Sequence, residues 1–195
     1  MNEYFEIKRK NFNIVTKLGE RSYKVERKGK YFFLKDFEND KKGFETYVDS
    51  EWKLNVTGIH HPKIYVYDKN FLLVASEYIE GNTVEQELMN ADLPEKYFEL
   101  LFKANWFVKK EKMPISFEPE KWKLTNGNLY YLGIIEGKFE DKPLLERGPL
   151  RLWFYSKDFA KNLVQKGLPV NKERVPDNEA ISNKQMALMV AKYYI

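Results

Sequence analysis

The stretch that decides the fold is Leu72-Leu73-Val74-Ala75-Ser76-Glu77-Tyr78-Ile79-Glu80-Gly81-Asn82-Thr83. Its apolar first half predicts a buried strand, and Gly81 ends the extended segment. Strand patterns dominate before this stretch, and helical patterns dominate after it. We therefore interpret residues 72–83 as the connection between a strand-rich part and a helical part of the chain.

The part before this connection predicts strands and one helix. Strand patterns occupy residues 13–18, 23–27, 31–37, 63–67 and 71–78. Gly29 marks a hairpin turn, because glycine tolerates the positive φ that such turns require. A helix is predicted over residues 41–56, with a buried stripe at Phe44, Tyr47, Val48 and Trp52. Glu51 falls within that stripe, so its carboxylate should face inward and need a partner.

The part after the connection predicts mainly helices. They cover residues 83–89, a long amphipathic segment from Pro94, residues 156–167 and residues 178–194. Asn126-Gly127 stands between two apolar runs and predicts a hairpin. Trp106 projects from the polar side of the long helix, where it either packs under the C-terminal segment, which we favour, or belongs to a partner surface. Strands followed by helices argue for the α+β fold class.

Composition limits the function classes. The 195 residues carry a net charge of +4 that is spread along the chain, which argues against a nucleic-acid partner. No cysteine is present, so disulfides and cysteine-based sites are excluded, and we expect a reducing, cytoplasmic location. The two histidines are adjacent, which disfavours a shared metal. Apolar runs such as residues 71–75 are far short of the ~20 residues that a membrane span needs, and the N-terminus lacks the layout of a secretion signal.

Five stretches, taken in order, resemble motifs of the protein-kinase-like superfamily, in particular its compact atypical kinases and aminoglycoside-phosphotransferase-like proteins. They are residues 18–25, 31–35, 72–83, 114–124 and 132–134. The resemblance covers about residues 11–135. It implies one two-lobed domain over residues 1–195, with a strand-rich N-lobe at 1–80 and a reduced helical C-lobe at 81–195.

Residues 18–25 resemble the glycine-rich loop that covers the phosphates of ATP. Only Gly19 is kept, Arg21 stands at the second glycine position, and the third glycine is replaced by Lys24 or lost through a deletion. Glycines let backbone N–H groups approach phosphates closely. The resemblance therefore implies a poor cradle, in which Arg21 or Lys24 would supply charge instead.

Lys35 resembles the phosphate-binding lysine of the family, whose partner is a glutamate on the following helix. The inward phase of Glu51 makes it the candidate partner, and Glu45 is the weaker alternative. Counting back from the turn at residues 58–62 leads to Tyr47 instead, so either the helix is shifted or the pair is absent.

Residues 77–81 resemble the hinge of the family. The resemblance implies that backbone groups of Glu77 and Ile79 hold adenine and that Ser76 controls access to the back of the pocket. ATP is accordingly the candidate cofactor.

Residues 114–124 resemble the catalytic loop but lack its functional groups. Ser116 stands at the position of the catalytic aspartate, Lys121 at that of the metal-binding asparagine, and Gly133 at that of the metal-binding aspartate. The usual carboxylate ligands of Mg²⁺ are therefore missing, and we expect no metal site. Glu118 as a base and Glu136 as a metal ligand are the remaining substitutes.

Three hypotheses follow. The first is a pseudokinase that works as a binding or regulatory module for a protein partner, with or without retained nucleotide. The second is a divergent phosphotransferase that uses Glu118 or Glu136. The third is a basic module that binds nucleic acid or an acidic partner. The sequence assigns no role to residues 147–154 and does not define the oligomeric state.

Overall fold

The computed structural model of the protein describes residues 4–139, residue 144 and residues 149–193. The chain forms two compact units. The first unit comprises Met1–Val56 and His61–Glu80, and the second comprises Thr57–His60 and Gly81–Ile195. Each unit has its own elements and its own buried residues.

The first unit is built on a six-stranded antiparallel sheet. Its strands are β1 (Tyr4–Ile7), β2 (Lys10–Gly19), β3 (Ser22–Arg27), β4 (Lys30–Asp36), β5 (Ile64–Asp68) and β6 (Leu73–Glu77). Their spatial order is β1-β2-β3-β4-β6-β5. The two edge strands, β1 and β5, also contact each other, so the sheet curls around one of its faces. This architecture is consistent with the N-lobe of a kinase-like fold.

The enclosed face of the sheet is the apolar core of the first unit. Its members are Ile7, Phe12, Val25, Phe32, Leu34, Val66, Leu73 and Ala75, all buried. Phe12 meets the ring of Phe32 edge-on at 5.5 Å and the ring of Tyr65 at 6.3 Å. These contacts join β2 to β4 and to the edge strand β5, which are not its neighbours in the strand order, so burial of Phe12 depends on the curl.

The helix α1 (Lys41–Leu54) lies between β4 and β5 in the chain, close to the predicted bounds. Asp40 caps its first turn by accepting a hydrogen bond from the N–H of Gly43 at 2.8 Å. Phe44 and Val48 pack on Val74 of β6. The expectation for Trp52 is wrong, since this residue is 68% exposed. The buried face of the helix turns toward Tyr47 and Leu54 and leaves Trp52 on its flank.

The strand β1 has no counterpart among the predicted strands. A turn at Lys8 and Arg9 joins it to β2, and both residues adopt positive φ, 49° and 63°. Turns of this kind usually carry glycine or asparagine. Without such a residue, the sequence gives no local signal for the hairpin, whereas Lys28-Gly29 marks the β3–β4 turn correctly.

The second unit contains four α-helices and one hairpin among its described residues. The elements are α2 (Val84–Asn90), α3 (Glu95–Glu111), β7 (Trp122–Thr125), β8 (Asn128–Tyr131), α4 (Lys157–Gln165) and α5 (Glu179–Tyr193). The predicted Asn126-Gly127 turn is confirmed, with φ of 51° and 74°. Residue 194, the predicted end of the last helix, lies outside the described residues.

Two helix starts in the second unit follow their sequence signals. Thr83 forms a capping box with Gln86 at the start of α2, and Ser156 accepts a hydrogen bond from the N–H of Phe159 at the start of α4. The predicted inner stripe of α3 is buried throughout; it comprises Tyr97, Phe98, Leu101, Ala104 and Val108. No helix within the described ranges is long and apolar enough to cross a membrane.

Replacing Phe12 with alanine tests the curled sheet. We expect Phe12→Ala to lower the free energy of unfolding by about 3–5 kcal/mol, because a buried ring is removed and a cavity remains. The matched control is Phe71→Ala in the same unit, since Phe71 is 68% exposed; its effect should stay within about 0.5 kcal/mol. Urea unfolding followed by circular dichroism measures both values, and equal losses would contradict the enclosed position of Phe12.

Candidate functional site

Lys35 lies on β4 in the middle of the sheet. It pairs in register with Ser22 of β3 and with Val74 of β6. Its ammonium group donates a hydrogen bond to the hydroxyl oxygen of Ser22 at 3.3 Å and lies 6.0 Å from the ring centre of Phe37. Lys35 is partly buried. The face of the sheet that carries Lys35 is opposite to the enclosed apolar face.

The expected pair between Lys35 and Glu51 is not formed. The Glu51 carboxylate accepts a hydrogen bond from the amide of Asn55 at 2.7 Å, one helical turn further on, and lies 3.9 Å from His61 Nε2. Glu45 lies 3.8 Å from Lys41. Among the described residues, no ion pair joins Lys35 to either glutamate.

Tyr47 is the residue that is reached by counting back along α1 from the turn at residues 58–62. Its hydroxyl lies 3.3 Å from the hydroxyl of Ser76 on β6, and its ring lies 5.7 Å from that of Phe37. Burial raises the pKa of Tyr47. A neutral phenol thus stands on the inner face of α1, at the place where the family resemblance implies a carboxylate.

The stretch that resembles a phosphate loop is a tight turn. Gly19 and Ser22 are paired in register, which leaves only Glu20 and Arg21 between β2 and β3. Arg21 forms ion pairs with Asp36, at 3.0 Å, and with Glu38. Its carbonyl oxygen also accepts a hydrogen bond from the N–H of Asp36 at 3.0 Å. Two carboxylates therefore compensate the charge of Arg21, and the turn is tied to the end of β4.

Lys24, the other basic residue of this stretch, is also engaged within the first unit. Its ammonium group donates to Glu80 at 3.0 Å and lies over the rings of Tyr31, at 4.1 Å, and Tyr78, at 4.4 Å. The hydrogen bond with Glu80 raises the pKa of Lys24. Lys24 is paired in register with Phe33, so these two side chains lie side by side on the Lys35 face.

The hinge-like residues follow β6. The backbone N–H of Glu77 donates to the carbonyl oxygen of Lys63 at 2.9 Å, and the Glu77 carboxylate accepts from the N–H of Lys63 at 3.0 Å. These bonds anchor the end of β6 to the segment before β5. Ile79, two residues beyond β6, is partly buried and belongs to the same unit.

In the second unit, Ser116, Glu118 and Lys121 form a cluster of hydrogen bonds. The Ser116 hydroxyl donates to the Glu118 carboxylate at 2.8 Å, and the ammonium group of Lys121 lies 2.7 Å from the same oxygen. The bond from Lys121 holds the pKa of Glu118 below its usual range. A carboxylate with a lowered pKa and two donors is a poor general base. The arrangement therefore stabilises charge but does not accept a proton readily.

Gly133 lies against the ring of Tyr131. A Cβ atom at position 133 would lie 2.4 Å from the Tyr131 hydroxyl oxygen and 2.5 Å from its ring carbon. The hydroxyl donates to the carbonyl oxygen of Ile134 at 2.9 Å, and burial raises the pKa of Tyr131 to about 12. Tyr131 is 1% exposed. The space that a metal-binding aspartate would need at position 133 is thus filled by a fixed, neutral phenol.

Two tryptophans hold the loop at residues 116–118 in place. Trp122 donates from Nε1 to the carbonyl oxygen of Ser116 at 3.0 Å and stacks on Phe117. Trp153 donates from Nε1 to the carbonyl oxygen of Phe117 at 2.7 Å. Both tryptophans are fully buried. This contact gives a role to part of residues 147–154, of which residues 147 and 148 lie outside the described ranges.

The two remaining glutamates of the segment do not form a metal site. Glu120 lies 3.1 Å from Lys166, which also pairs with the buried Glu85 of α2. Burial lowers the pKa of Lys166, but the bonds to Glu85 and Glu120 outweigh it and raise the pKa overall. Glu136 is exposed. In the part of the chain that the structure describes, no group of three His, Asp or Glu side chains is placed to hold a metal ion.

The partners of these residues could not be predicted from local sequence patterns. Strand pairing and chain reversals bring the partners together. They place Asp36 and Glu38 beside Arg21, Glu80 beside Lys24, and Tyr131 beside Gly133. The one available signal was the Asn126-Gly127 turn, which sets the register of Trp122 opposite Tyr131.

Comparison with known proteins gives a distant structural likeness. No protein-family model matches the chain, and no curated protein matches it in sequence. Among the solved structures that match is the crystal structure of the PknI kinase domain of Mycobacterium tuberculosis, a double mutant, at 15% identity and a TM-score of 0.43. The match covers 62% of this chain and 58% of that kinase domain. The likeness thus spans less than two thirds of that domain.

Adding one methyl group at Gly133 tests the contact with Tyr131. We expect Gly133→Ala to lower the free energy of unfolding by about 1–3 kcal/mol, because the new Cβ overlaps a ring that cannot move freely. In a Tyr131→Leu background the same substitution should cost at least about 1 kcal/mol less. Urea unfolding of the four proteins in the double-mutant cycle measures the difference.

The matched control for this cycle is Gly19→Ala. A Cβ at position 19 would lie 3.8 Å from its nearest neighbour, the Cβ of Ser22, which is an ordinary contact. We expect a change of no more than about 1 kcal/mol. Additive effects of Gly133→Ala and Tyr131→Leu would refute the close contact.

The lowered pKa of Glu118 predicts a pH-dependent contribution of Lys121 to stability. A carboxylate with a depressed folded-state pKa stabilises the fold above its unfolded pKa of about 4.3, and this stabilisation is lost as the pH falls through the folded value. Lys121→Met should therefore destabilise the protein at neutral pH and have little effect in acid. Both side chains are partly exposed, 40% and 43%, so we expect less than about 1 kcal/mol. Unfolding across the acid range measures this loss of stability, with the exposed Lys161→Met as control. A difference between the wild type and Lys121→Met that does not change with pH would contradict the prediction.

Proposed function

We propose that this chain is a catalytically degenerate, kinase-like protein that acts by binding a protein partner and does not transfer phosphate. The observation that carries the proposal is the contact between Tyr131 and Gly133. It leaves no room for a side chain at position 133, where the kinase resemblance requires a carboxylate for Mg²⁺.

The kinase-like part of the proposal is supported by the first unit. A helix stands between β4 and β5, Lys35 lies on the central strand β4, and β6 leads into the segment that resembles a hinge. We propose that residues 1–80 and 81–195 are the N-lobe and the reduced C-lobe of one such domain. The order of the elements and the positions of Lys35 and of the hinge-like segment support this division.

The loss of catalysis is supported by the second unit. Phosphoryl transfer needs metal ions that neutralise the charge of the phosphates, and Mg²⁺ prefers carboxylate oxygens. Lys121 brings a cation to the loop, and its bond to Glu118 takes up the nearest carboxylate. Because the pKa of Glu118 is lowered, this residue is also a poor substitute base. These contacts disfavour the alternative of a divergent phosphotransferase.

Contacts of the first unit also weaken the case for nucleotide. Arg21 is paired with two carboxylates, and Lys24 is held by Glu80 and two tyrosine rings. An adenine base at the hinge, with its phosphates at Lys35, would have to lie over Phe33 and Lys24, which occupy that face of the sheet. We infer that ATP is bound weakly or not at all and that Mg²⁺ does not strengthen its binding.

Thermal unfolding with ATP and Mg²⁺, with ATP alone, and with neither tests this function. A ligand that binds the folded state raises the apparent stability by mass action. We expect no additional rise in the midpoint when Mg²⁺ accompanies ATP, and no ATP hydrolysis or phosphate transfer. Lys35→Ala and the exposed Lys30→Ala form a matched pair, because both remove a lysine from β4. Any rise in the midpoint that ATP causes through Lys35 should be lost in Lys35→Ala and kept in Lys30→Ala.

If the protein acts by binding a partner, removal of the residues proposed for catalysis should leave partner binding intact. A protein that carries both Lys35→Ala and Glu118→Ala should retain the co-purifying proteins of the wild type. A metal-dependent shift that is lost in Lys35→Ala, together with turnover that is lost in Glu118→Ala or Glu136→Ala, would refute the proposal and support an active phosphotransferase.

A further inference from the structure

The enclosed face of the curled sheet ends in three basic residues. Side chains alternate between the two faces of a strand, so a residue two positions beyond a core member lies on the same face. At the end of the sheet where β2 and β4 begin and β3 ends, these residues are Lys10, Arg27 and Lys30. Arg27 and Lys30 are paired in register and lie side by side. We call the three residues the basic rim.

The basic rim has no carboxylate partner. None of its members forms an ion pair within residues 4–139 or the other described ranges. Glu6 and Glu26, the acidic residues of β1 and β3, lie on the opposite face of the sheet, and Glu26 is bonded to Asn13 and to the N–H of Gly29. Glu77 of β6 reaches the same end of the enclosed face, where its carboxylate accepts from the N–H of Lys63 at 3.0 Å. Positive charge is therefore in excess at the rim.

Arg27 is the most enclosed of these cations in its hydrogen bonding. Its guanidinium carbon lies 5.9 Å from the ring centre of Phe12, and its Nε atom is buried with no acceptor among the residues that the structure describes. Because Nε is inaccessible, the donors that a ligand can meet are on Nη1 and Nη2, which are not enclosed in this way. A partly buried guanidinium without a counter-charge favours an anion, and its fork of donors suits phosphate.

An exposed aromatic ring stands beside the basic rim. The ring of Tyr65 lies 6.3 Å from that of Phe12 and 4.9 Å from that of Phe32, so its position is fixed by the core. The ammonium group of Lys10 lies 4.5 Å from its centre, and the residue is still 45% exposed. A fixed, exposed ring next to cations is the arrangement on which nucleic-acid bases stack.

The hairpin turns extend the positive surface. Lys8 and Arg9 form the β1–β2 turn, and Lys28 belongs to the β3–β4 turn at the same end of the sheet. All three are exposed, and none has an ion pair in the part of the chain that the structure describes. The two turns are separated by two strand spacings, about 10 Å. This span exceeds a single phosphate group and fits successive phosphates of one strand. The sheet thus gathers six cations that the sequence spreads over residues 8–30.

We propose that the first unit binds single-stranded nucleic acid at the basic rim and the two adjoining turns. The backbone phosphates meet the six cations, and a base stacks on Tyr65. The site lies at the opposite end of β2 and β3 from the turn at Glu20 and Arg21 that resembles a phosphate loop. It is therefore independent of the proposed function.

Fluorescence anisotropy with a labelled 15-residue oligo(dT) tests the site on the full chain at several salt concentrations. We expect saturable binding whose association constant falls with salt. Each phosphate contact contributes about 0.7 to the slope of log K against log [salt] for a single strand. The triple variant Lys10→Gln, Arg27→Gln, Lys30→Gln should therefore have a slope that is shallower by about 2.

A second variant avoids the core. Lys8→Gln, Arg9→Gln, Lys28→Gln changes only exposed turn residues and should also make the slope shallower by about 2. The matched control carries the same change of net charge at three exposed lysines elsewhere in the first unit: Lys42→Gln, Lys53→Gln, Lys69→Gln. This control should keep the slope of the wild type. Equal slopes in the control and the turn variant would overturn the proposal.

The base contact has its own readout. Tyr65→Leu should weaken binding of oligo(dT) about tenfold through the loss of stacking and leave the salt slope unchanged, because no cation is removed. A 15-residue poly-glutamate should displace the labelled oligo(dT) much less effectively than unlabelled oligo(dT) does. Equal displacement would identify a surface for acidic polypeptides and would overturn the proposal, as would the absence of saturable binding to the folded wild type.

Discussion

The burial of the Tyr131 hydroxyl, and its hydrogen bond to the carbonyl oxygen of Ile134, is the constraint on which the candidate site depends. It turns the chain after β8 back over the tyrosine ring and thereby requires glycine at position 133. The β7–β8 register places Trp122 opposite Tyr131, and the bond from Trp122 Nε1 to Ser116 ties the preceding loop to the same ring cluster. A change that admitted a carboxylate at position 133 would therefore disturb the hairpin and the loop together.

A second theme is the internal pairing of charges. Arg21, Lys24 and Lys121 each have a carboxylate partner within their own unit. Such partly exposed pairs contribute little to folding, typically about 0–1 kcal/mol. Their importance lies in competition, because a phosphate group would have to displace the carboxylate before it could use the cation. The proposed absence of phosphate transfer therefore depends on the carboxylate partners of these cations as well as on the residues at positions 116, 121 and 133.

Much of the fold could be predicted because its signals are local. Hairpins with glycine turns, the capping box at Thr83 and the buried stripe of α3 each depend on residues within a few positions of one another. The strand β1 and the exposed side of α1 could not be predicted. The first has a turn without glycine. The second depends on which side of the helix meets the sheet, as the exposure of Trp52 shows.

For the candidate site, the sequence by itself determined residue identities: positions 116, 121 and 133 carry serine, lysine and glycine, so none of the three has a carboxylate. It also indicated that Glu51 would need a partner. Only the tertiary structure decided that this partner is Asn55 and not Lys35, and that Tyr131 fills the space beside Gly133. The physical reason is that residue identity fixes charge and hydrogen-bonding capacity, whereas pairing and steric room depend on strand register and on contacts between residues far apart in the chain.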